Sequence, residues 1–150
     1  MSRPLHALVV SVLVRDAEKR ILLIKHPLRG WELPQGHVEH SEDLLVAAGR
    51  EVFEESGYEI EIERLLGVFS KIEPAPSTLI CGFSARLAGG EATTSDESLE
   101  VGWFDEELAV EMVAHPVNRD RLLRMLAQKA GVGYVSYRMP PYSISETYQI

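Results

Sequence analysis

The sequence is poor in the residues that form disulfides, zinc sites and membrane spans. Its 150 residues include one cysteine, Cys81, which excludes an internal disulfide and a cysteine-based zinc cluster. The five histidines show no ligand spacing such as HExxH, so a zinc site is not expected. The apolar run of residues 7–14 is short and broken by Ser11, which indicates a strand rather than a targeting segment. We therefore expect a cytoplasmic protein without membrane contact, whose Cys81 is a buried structural thiol.

Positive charge is also scarce. The chain has 15 Lys and Arg residues against 23 Asp and Glu residues, a formal net charge of −8, and no Lys or Arg between Leu87 and Ala114. General binding to nucleic acid depends on lysine and arginine side chains that neutralise phosphates. The composition therefore argues against a general nucleic-acid binder. A phosphate-bearing substrate would need positive charge from another source, such as a bound metal ion.

Apolar residues are plentiful enough for a complete core. They make up 45% of the chain, and no repeat or linker divides residues 1–150, so we predict a single domain. Apolar runs predict strands over residues 6–14, 21–25, 31–33, 59–63, 65–72, 77–87 and 101–104. Capping residues and apolar spacing predict helices from Ser41 until Gly57, over 106–113 and over 116–130. This order of elements predicts an α/β fold with a mixed β-sheet between helices.

The C-terminal part of the chain is less clearly patterned. In the last predicted helix, the core stripe is expected to consist of Leu122, Leu123, Met125 and Leu126. The tail of residues 131–150 could be an edge strand, a lid or a partner contact. The oligomeric state is equally open between a monomer and a homodimer.

The segment from Gly36 to Tyr58, GHVEHSEDLLVAAGREVFEESGY, has the most distinctive chemistry. Ser41 is expected to cap its helix, and Gly57 to end it. At about 100° per residue, Glu51, Glu54 and Glu55 fall on one arc of that helix. The opposite side is expected to face the core through Leu45, Val46, Val52 and Phe53.

Three carboxylates at this spacing repel one another and need a compensating cation. Arg50 can offset one of the charges. A hard divalent ion suits the remainder, because Mg²⁺ prefers oxygen ligands and leaves room for the phosphates of a substrate. For an arbitrary acidic cluster, the alternative is a solvated helix face.

The spacing of this segment resembles the signature of the Nudix hydrolases. That signature reads G, five residues, E, seven residues, REU, one residue, EE, one residue, GU, where U is a bulky aliphatic residue. All the fixed letters are present from Gly36 to Gly57, and a chance match is on the order of one in ten million. The departure is Tyr58, where an aliphatic residue is usual. A looser similarity extends to about residue 130.

Membership of this family implies a Nudix-like α/β/α sandwich, with the signature helix packed against the sheet. It implies that Glu51, Glu54 and Glu55 bind Mg²⁺ or Mn²⁺. It further implies that Arg50 orients these glutamates by ion pairing and that the carbonyl of Gln35 is an additional metal ligand.

Three further positions follow from the resemblance. Gly36 is expected because the backbone must approach the metal closely. We interpret Glu42 as a structural residue, near the helix cap or paired with the signature arginine, rather than as a direct ligand. Glu97 matches a place where many family members carry a further acidic ligand or base, with Asp96 and Glu100 as rivals. The predicted catalytic residues are thus Arg50, Glu54, Glu55 and Glu97.

Candidates for substrate contact lie outside the signature. Trp31 and Phe69 could stack on a base, although core packing is the commoner role of such aromatics. His26, Arg29 and Lys71 could hold a distal phosphate or a sugar, or could simply be exposed.

The resemblance implies an enzyme, a Nudix pyrophosphohydrolase that cleaves the pyrophosphate bond of a nucleoside diphosphate linked to another moiety. The alternative is a Nudix domain that senses nucleotides without turnover. The full set of glutamates argues against a sensor, because a sensor has no need of a loaded metal site.

Two short features bear on the substrate. Pro74 lies sixteen residues after the signature, where a proline resembles the ADP-ribose pyrophosphatase subgroup, although a proline is also common at a strand end. The run LPQGHVE of residues 33–39 resembles dinucleoside polyphosphate and RNA-cap hydrolases instead. We expect ADP-ribose or a nucleotide sugar, with dinucleoside polyphosphates and nucleoside triphosphates as alternatives.

Overall fold

The computed structural model describes residues 2–150, so Met1 of the predicted domain lies outside the described part. The strands are β1 (His6–Arg15), β2 (Ile21–His26), β3 (Gly30–Glu32), β4 (Gln35–His37), β5 (Tyr58–Glu73), β6 (Ser77–Gly90), β7 (Val101–Phe104), β8 (Gly133–Arg138) and β9 (Ser143–Gln149). The helices are α1 (Leu44–Ser56), α2 (Glu106–Met112) and α3 (Pro116–Ala127). Every predicted strand and helix corresponds to one of these elements.

The strands form one mixed sheet. Its main path runs β3-β2-β1-β6-β5-β8-β9, with β4 paired to β1 and β7 paired to β2. The β1–β6 and β5–β8 pairs are parallel, whereas the β5–β6 and β8–β9 pairs are antiparallel. The predicted α/β fold with a mixed sheet is confirmed. Of the three alternatives for the tail, an edge strand describes β9, which ends the path.

The two faces of the sheet support separate cores, because successive strand residues point to opposite faces. Val10, Val12 and Val14 of β1 pack with small residues of α1 on one face. Leu13 belongs to the cluster on the other face, which includes residues of α2 and α3. Helices therefore cover both faces, as the predicted sandwich requires. Cys81 is buried in the cluster on the α1 face, as expected.

The first turn of α1 is capped by Asp43 rather than by Ser41. The Asp43 carboxylate accepts hydrogen bonds from the backbone N–H groups of Leu45 at 2.9 Å and Val46 at 3.1 Å. Aspartate and serine cap helices about equally well, so the local sequence does not distinguish them. Gly57 ends the helix as predicted, with a φ of 82° and an N–H group that donates to a carbonyl of the last turn at 2.8 Å.

The buried face of α1 also differs from the predicted one. Leu45, Val46 and Phe53 are 51%, 60% and 54% exposed, so the prediction that they face the core is wrong. The residues that face the sheet are Ala47, Ala48, Val52, Glu55 and Ser56. Small side chains allow a helix to lie close to a sheet. Because Ala47, Ala48 and Val52 face the sheet, Glu55 on the same side of α1 is buried as well, which an apolar pattern does not reveal.

Two smaller differences concern α3 and the approach to α1. Leu123 is 45% exposed, whereas Leu122 and Met125 are buried as predicted. The predicted loop at residues 34–36 is largely β4, which pairs antiparallel with β1 and places Gly36 opposite Val10. No helix within residues 2–150 is both long and apolar enough to cross a membrane.

Candidate active site

Two adjoining cavities open where β4, α1 and α3 meet. We call the first the carboxylate cavity; it has a volume of about 370 Å³ and its acidic lining residues are Glu39, Glu51, Glu54, Glu55 and Glu97. We call the second the cationic cavity; it has a volume of about 320 Å³ and is lined by Arg29, Lys71 and Arg121 among others. The two share Arg29, Gln35, Gly36 and His37, so they lie side by side.

Arg50 links the carboxylates of the signature to one another. Its guanidinium donates to Glu42 at 2.7 and 2.9 Å, to Glu51 at 2.9 Å and to Glu54 at 3.1 Å. A fourth partner is the backbone carbonyl of His37 at 3.0 Å. The arginine thus pairs with three glutamates and ties α1 to β4.

Glu42 has a structural position in this network, as a partner of Arg50. Hydrogen bonds from Arg50, and next from the backbone N–H of Glu39, lower the pKa of its carboxyl to about 2. Both of its oxygens are used in bonds to Arg50. This position matches the predicted structural role as a partner of Arg50.

Glu55 is the most buried carboxylate of the site. It is 6% exposed, and one oxygen accepts a hydrogen bond from the backbone N–H of Gln35 at 2.8 Å. Burial raises the pKa of its carboxyl to about 8, and the negative charges of Glu51, Glu32 and Glu97 act in the same direction. A bound cation would reverse this shift, because an opposite charge favours the ionised form.

Gly36 provides the space for Glu51. A Cβ atom at position 36 would overlap the carboxylate of Glu51, so no larger residue fits while that side chain keeps its place. Burial raises the pKa of Glu51 more than the hydrogen bond from Arg50 lowers it. The absence of a side chain at position 36 thus makes room for a carboxylate of the signature helix, and the close approach of this backbone to a metal stays a prediction.

Glu97 belongs to the loop between β6 and β7 and lines the carboxylate cavity, whereas Asp96 and Glu100 do not. The next residue, Ser98, is fully buried, and its hydroxyl donates to the backbone carbonyl of Glu55. Glu100 instead pairs with Lys25 at 3.1 Å. The hydrogen bond from Ser98 thus joins the loop to the C-terminal end of α1, next to Glu97.

The chemistry of the carboxylate cavity fits a divalent metal ion. Carboxylate and carbonyl oxygens are the ligands that Mg²⁺ prefers, and Glu51, Glu54, Glu55 and Glu97 supply them around one space. Within residues 2–150, no three His, Cys, Asp or Glu side chains are already arranged as a metal cluster. Arg50 holds Glu51 and Glu54 instead. Each hydrogen bond from Arg50 uses one oxygen of the carboxylate, so the other oxygen of Glu51 and of Glu54 could bind a metal ion.

The cationic cavity contains residues that the sequence did not single out. Glu32 is fully buried and accepts two hydrogen bonds from Arg29 and one from Asn118, each at 2.8 Å. Gln35 donates to the same carboxylate at 3.3 Å and accepts from Arg121 at 3.1 Å. A glutamate between Trp31 and Leu33 in a buried strand is the one local signal for this network. Its partners Arg29 and Gln35 lie three residues away, whereas Asn118 is distant in sequence and has no such signal.

The predicted substrate residues divide between the cavities and the core. Arg29 and Lys71 line the cationic cavity, and His26 lines the carboxylate cavity. Phe69 is 5% exposed and lies beneath the guanidinium of Arg121 at 5.6 Å. Trp31 packs edge-on against Phe104 at a centroid distance of 5.2 Å. The core-packing alternative therefore fits the positions of both aromatic residues.

Comparison with known proteins gives the family. A sequence model of the NUDIX domain matches residues 5–126. The MutT-like protein of Streptomyces ambofaciens is 34% identical over 114 residues, which cover 75% of this chain and 73% of that protein. The crystal structure of a NUDIX hydrolase from Nitrosomonas europaea superimposes with a TM-score of 0.72 and 31% identity, covering 91% of this chain and 81% of that one.

Other relatives carry names of specific activities. An 8-oxo-(d)GTP phosphatase of Mycolicibacterium smegmatis is 29% identical over 96 residues, which are 64% of this chain but 30% of that protein. An ADP-ribose pyrophosphatase of Methanocaldococcus jannaschii is 34% identical over 107 residues, covering 67% of this chain and 63% of that protein. The predicted enzyme class, a Nudix pyrophosphohydrolase, is confirmed at the level of the family. With the signature in α1 and the sandwich around it, these matches establish that the chain belongs to the Nudix hydrolase family.

Proposed function

We propose that this protein hydrolyses the pyrophosphate bond of a nucleoside diphosphate linked to another moiety, with Mg²⁺ or Mn²⁺ as its cofactor. The observation that supports this most directly is the convergence of Glu51, Glu54, Glu55 and Glu97 on one cavity. Nudix hydrolases generally use divalent metal ions, and the donors in this cavity are of the type that such ions take. We also propose that the single domain includes the tail, because β8 pairs with the central part of the sheet.

In this proposal, Glu51, Glu54 and Glu55 hold the metal together with the carbonyl of Gln35. The bound ion would neutralise the diphosphate and lower the pKa of an attacking water. Arg50 positions the glutamates through the hydrogen bonds to Glu51 and Glu54 described above.

Two carboxylates are candidates for accepting a proton from the attacking water. Glu55 is buried, and a bound cation would keep its carboxylate in the ionised form that a general base requires. Glu97 is exposed and reaches the same cavity from the opposite loop, where it could serve as a further ligand or as the base. Gly36, Glu42 and Gly57 serve structure rather than chemistry.

For the substrate, we propose ADP-ribose or a similar nucleotide sugar first. The ADP-ribose pyrophosphatase of M. jannaschii supports this choice. Pro74 adds little, because it lies exposed in the turn after β5 and lines neither cavity. Nucleoside triphosphates and dinucleoside polyphosphates are the second class, and the name of the M. smegmatis relative supports the former.

The test is incubation with Mg²⁺ or Mn²⁺ and a panel of ADP-ribose, nucleotide sugars, diadenosine polyphosphates and nucleoside triphosphates, with products identified by mass spectrometry. We expect two phosphate-bearing products from at least one diphosphate derivative and none when the metal is chelated. Tight binding without any product would favour the nucleotide sensor. A preference of more than about tenfold in kcat/KM for a polyphosphate, near 1.4 kcal/mol in transition-state binding, would overturn the choice of ADP-ribose.

A further inference from the structure

The cationic cavity has a charge opposite to that of the chain as a whole. The formal net charge of the protein is −8, yet Arg29, Lys71 and Arg121 line this cavity and no Asp or Glu is among its described lining residues. His115 also lines it, and burial together with the positive charges of Arg29 and Arg121 lowers the pKa of its imidazole. The charged side chains that line this cavity are therefore cationic, in contrast to the acidic site beside it.

Arg121 is the most unusual of these cations, because it is 7% exposed. Its guanidinium donates to Gln35 Oε1 at 3.1 Å, to Asn118 Oδ1 at 3.4 Å and to the hydroxyl of Tyr137 at 3.3 Å. All three acceptors are uncharged. Its Nε–H is buried and has no hydrogen-bond partner in the described part of the chain.

The nearest acidic member of the network does not neutralise Arg121. Glu32 forms its ion pair with Arg29, with two hydrogen bonds of 2.8 Å, and receives a third from Asn118. The network of the half-exposed Arg29 and the buried Glu32 and Arg121 therefore has one positive charge in excess. A buried cation without a counterion is unfavourable, whereas an arginine fork binds the oxygens of a phosphate through two parallel bonds.

We propose that the cationic cavity binds a phosphate group of the substrate that is not part of the hydrolysed diphosphate, and that Arg121 selects substrates that carry it. This inference rests on the proposed hydrolysis. One ligand can occupy both cavities, because Arg29, Gln35, Gly36 and His37 belong to both. The preferred substrates are then nucleotide sugars with an additional phosphate, such as ADP-ribose phosphorylated at the 2′ position.

The C-terminal hairpin of β8 and β9 contributes to this cavity through Tyr137 and Met139. Both residues lie beyond residue 126, where the match to the family's domain model ends. The hairpin is joined to α3 by a hydrogen bond from the hydroxyl of Tyr142 to the carboxylate of Asp120. Tyr137 thereby acts as a positioning residue that holds the Nη2 end of Arg121.

The test compares substrates that differ by one phosphate. ADP-ribose and its 2′-phosphorylated form are one pair, and a nucleotide sugar and its phosphorylated form are another. We measure kcat/KM with Mg²⁺ for the parent protein and for Arg121→Gln, Arg121→Lys and Tyr137→Phe. Arg124→Gln is the matched control, because Arg124 lies on the same helix, pairs with Asp120 and does not line the cationic cavity.

We expect the parent protein to prefer the member with the additional phosphate in at least one pair, by roughly 10- to 100-fold, as a charge-assisted hydrogen bond allows. Arg121→Gln should abolish the preference by raising KM for that member alone. Arg121→Lys should restore part of the preference, because lysine retains the positive charge but lacks the planar guanidinium that donates two parallel hydrogen bonds. Tyr137→Phe should reduce the preference by about threefold, the loss of one ordinary hydrogen bond.

Equal losses for both members of a pair in Arg121→Gln would overturn the proposal, because Arg121 would then contact a group common to both. No preference in the parent protein would overturn it as well. If neither member is hydrolysed, the proposed reaction fails, and calorimetric binding of the same pairs to the parent and to Arg121→Gln still decides. Thermal unfolding of each variant, compared with Arg124→Gln, identifies a loss that is due to misfolding.

Discussion

The two cavities share several lining residues. The charged residues that distinguish them are mostly acidic in the carboxylate cavity and basic in the cationic cavity. The carboxylate cavity takes most of its charges from one helix, through Glu51, Glu54 and Glu55 within five residues of chain. The cations of the cationic cavity come from three elements: Arg29 from the loop before β3, Lys71 from β5 and Arg121 from α3. The residues proposed for bond cleavage and those proposed for substrate recognition thus come from different kinds of sequence. Substitutions in one cavity should change turnover, and those in the other should change the choice of substrate.

The largest expected effect is in the carboxylate cavity. Glu54→Gln and Glu55→Gln should each lower kcat by roughly 100- to 1,000-fold, because a metal ligand contributes several kcal/mol of charge stabilisation in the transition state. The fold should persist, because neither substitution opens a cavity. The measurement is turnover at saturating Mg²⁺ with circular dichroism as a check on folding. Glu63→Gln, an exposed glutamate of β5, is the control, and a Glu54→Gln variant as active as the parent would remove Glu54 from the ligands.

The second effect concerns the arginine that joins the glutamates. Arg50→Lys should lower activity or Mg²⁺ affinity by roughly 10- to 100-fold, the usual cost of losing an outer partner of a metal site. Lysine retains the charge but cannot bridge Glu42, Glu51 and Glu54 with one planar group. Mg²⁺ titration of the rate measures the change, with Arg86→Lys as control because Arg86 pairs only with the exposed Glu61. An unchanged Mg²⁺ dependence would show that the glutamates orient themselves without Arg50.

A smaller effect separates Glu97 from its neighbours. Glu97→Gln should lower kcat by about tenfold, because Glu97 is exposed and only supplements the helix carboxylates. Asp96→Asn and Glu100→Gln should leave kcat unchanged, since neither residue lines the cavity. If Asp96→Asn is the slower variant, the acidic ligand of the loop has been misassigned by one residue. If Glu97→Gln has the same rate as the parent protein, the general base would have to be a carboxylate of α1.

The smallest effect is a pH dependence of folding in the metal-free protein. Burial raises the pKa of Glu55 to about 8 from an unfolded value near 4.5, so the folded state binds more protons between these values. The free energy of unfolding should therefore fall as the pH rises through this interval. Glu55→Gln should show a flatter profile in urea unfolding between about pH 5 and pH 8 in the presence of a chelator. The lowered pKa of Glu42 does not interfere, because its contribution is lost only below about pH 4.5.

The sequence predicts the carboxylate cavity better than the cationic one for a physical reason. Helical geometry converts the spacing of Glu51, Glu54 and Glu55 directly into a common face, so a local pattern is sufficient. Arg121 contacts both Gln35 and Tyr137 only because β8 pairs with β5 and α3 packs on the sheet. Nothing near those residues in the sequence indicates such contacts.

The sequence was also misleading about which side of α1 is buried. Large apolar residues normally identify the core side of a helix, but Leu45, Val46 and Phe53 remain exposed. Ala47 and Ala48 carry a weaker hydrophobic signal, yet they allow the close contact with the sheet that buries Glu55. Packing of the small residues against the sheet therefore decided which side of α1 is buried. One consequence is the burial of Glu55, whose carboxyl pKa is the most strongly raised of the site.

The contact between Gly36 and Glu51 has an evolutionary consequence. The obstacle to a side chain at position 36 is the far end of a flexible glutamate, and the backbone there does not have a positive φ. Gly36→Ala should therefore yield a folded protein in which the Glu51 carboxylate has swung away from its place. A lineage could lose turnover by this single change and still keep the cavities proposed to hold the substrate. At this glycine, one substitution would then be enough to separate hydrolysis from binding.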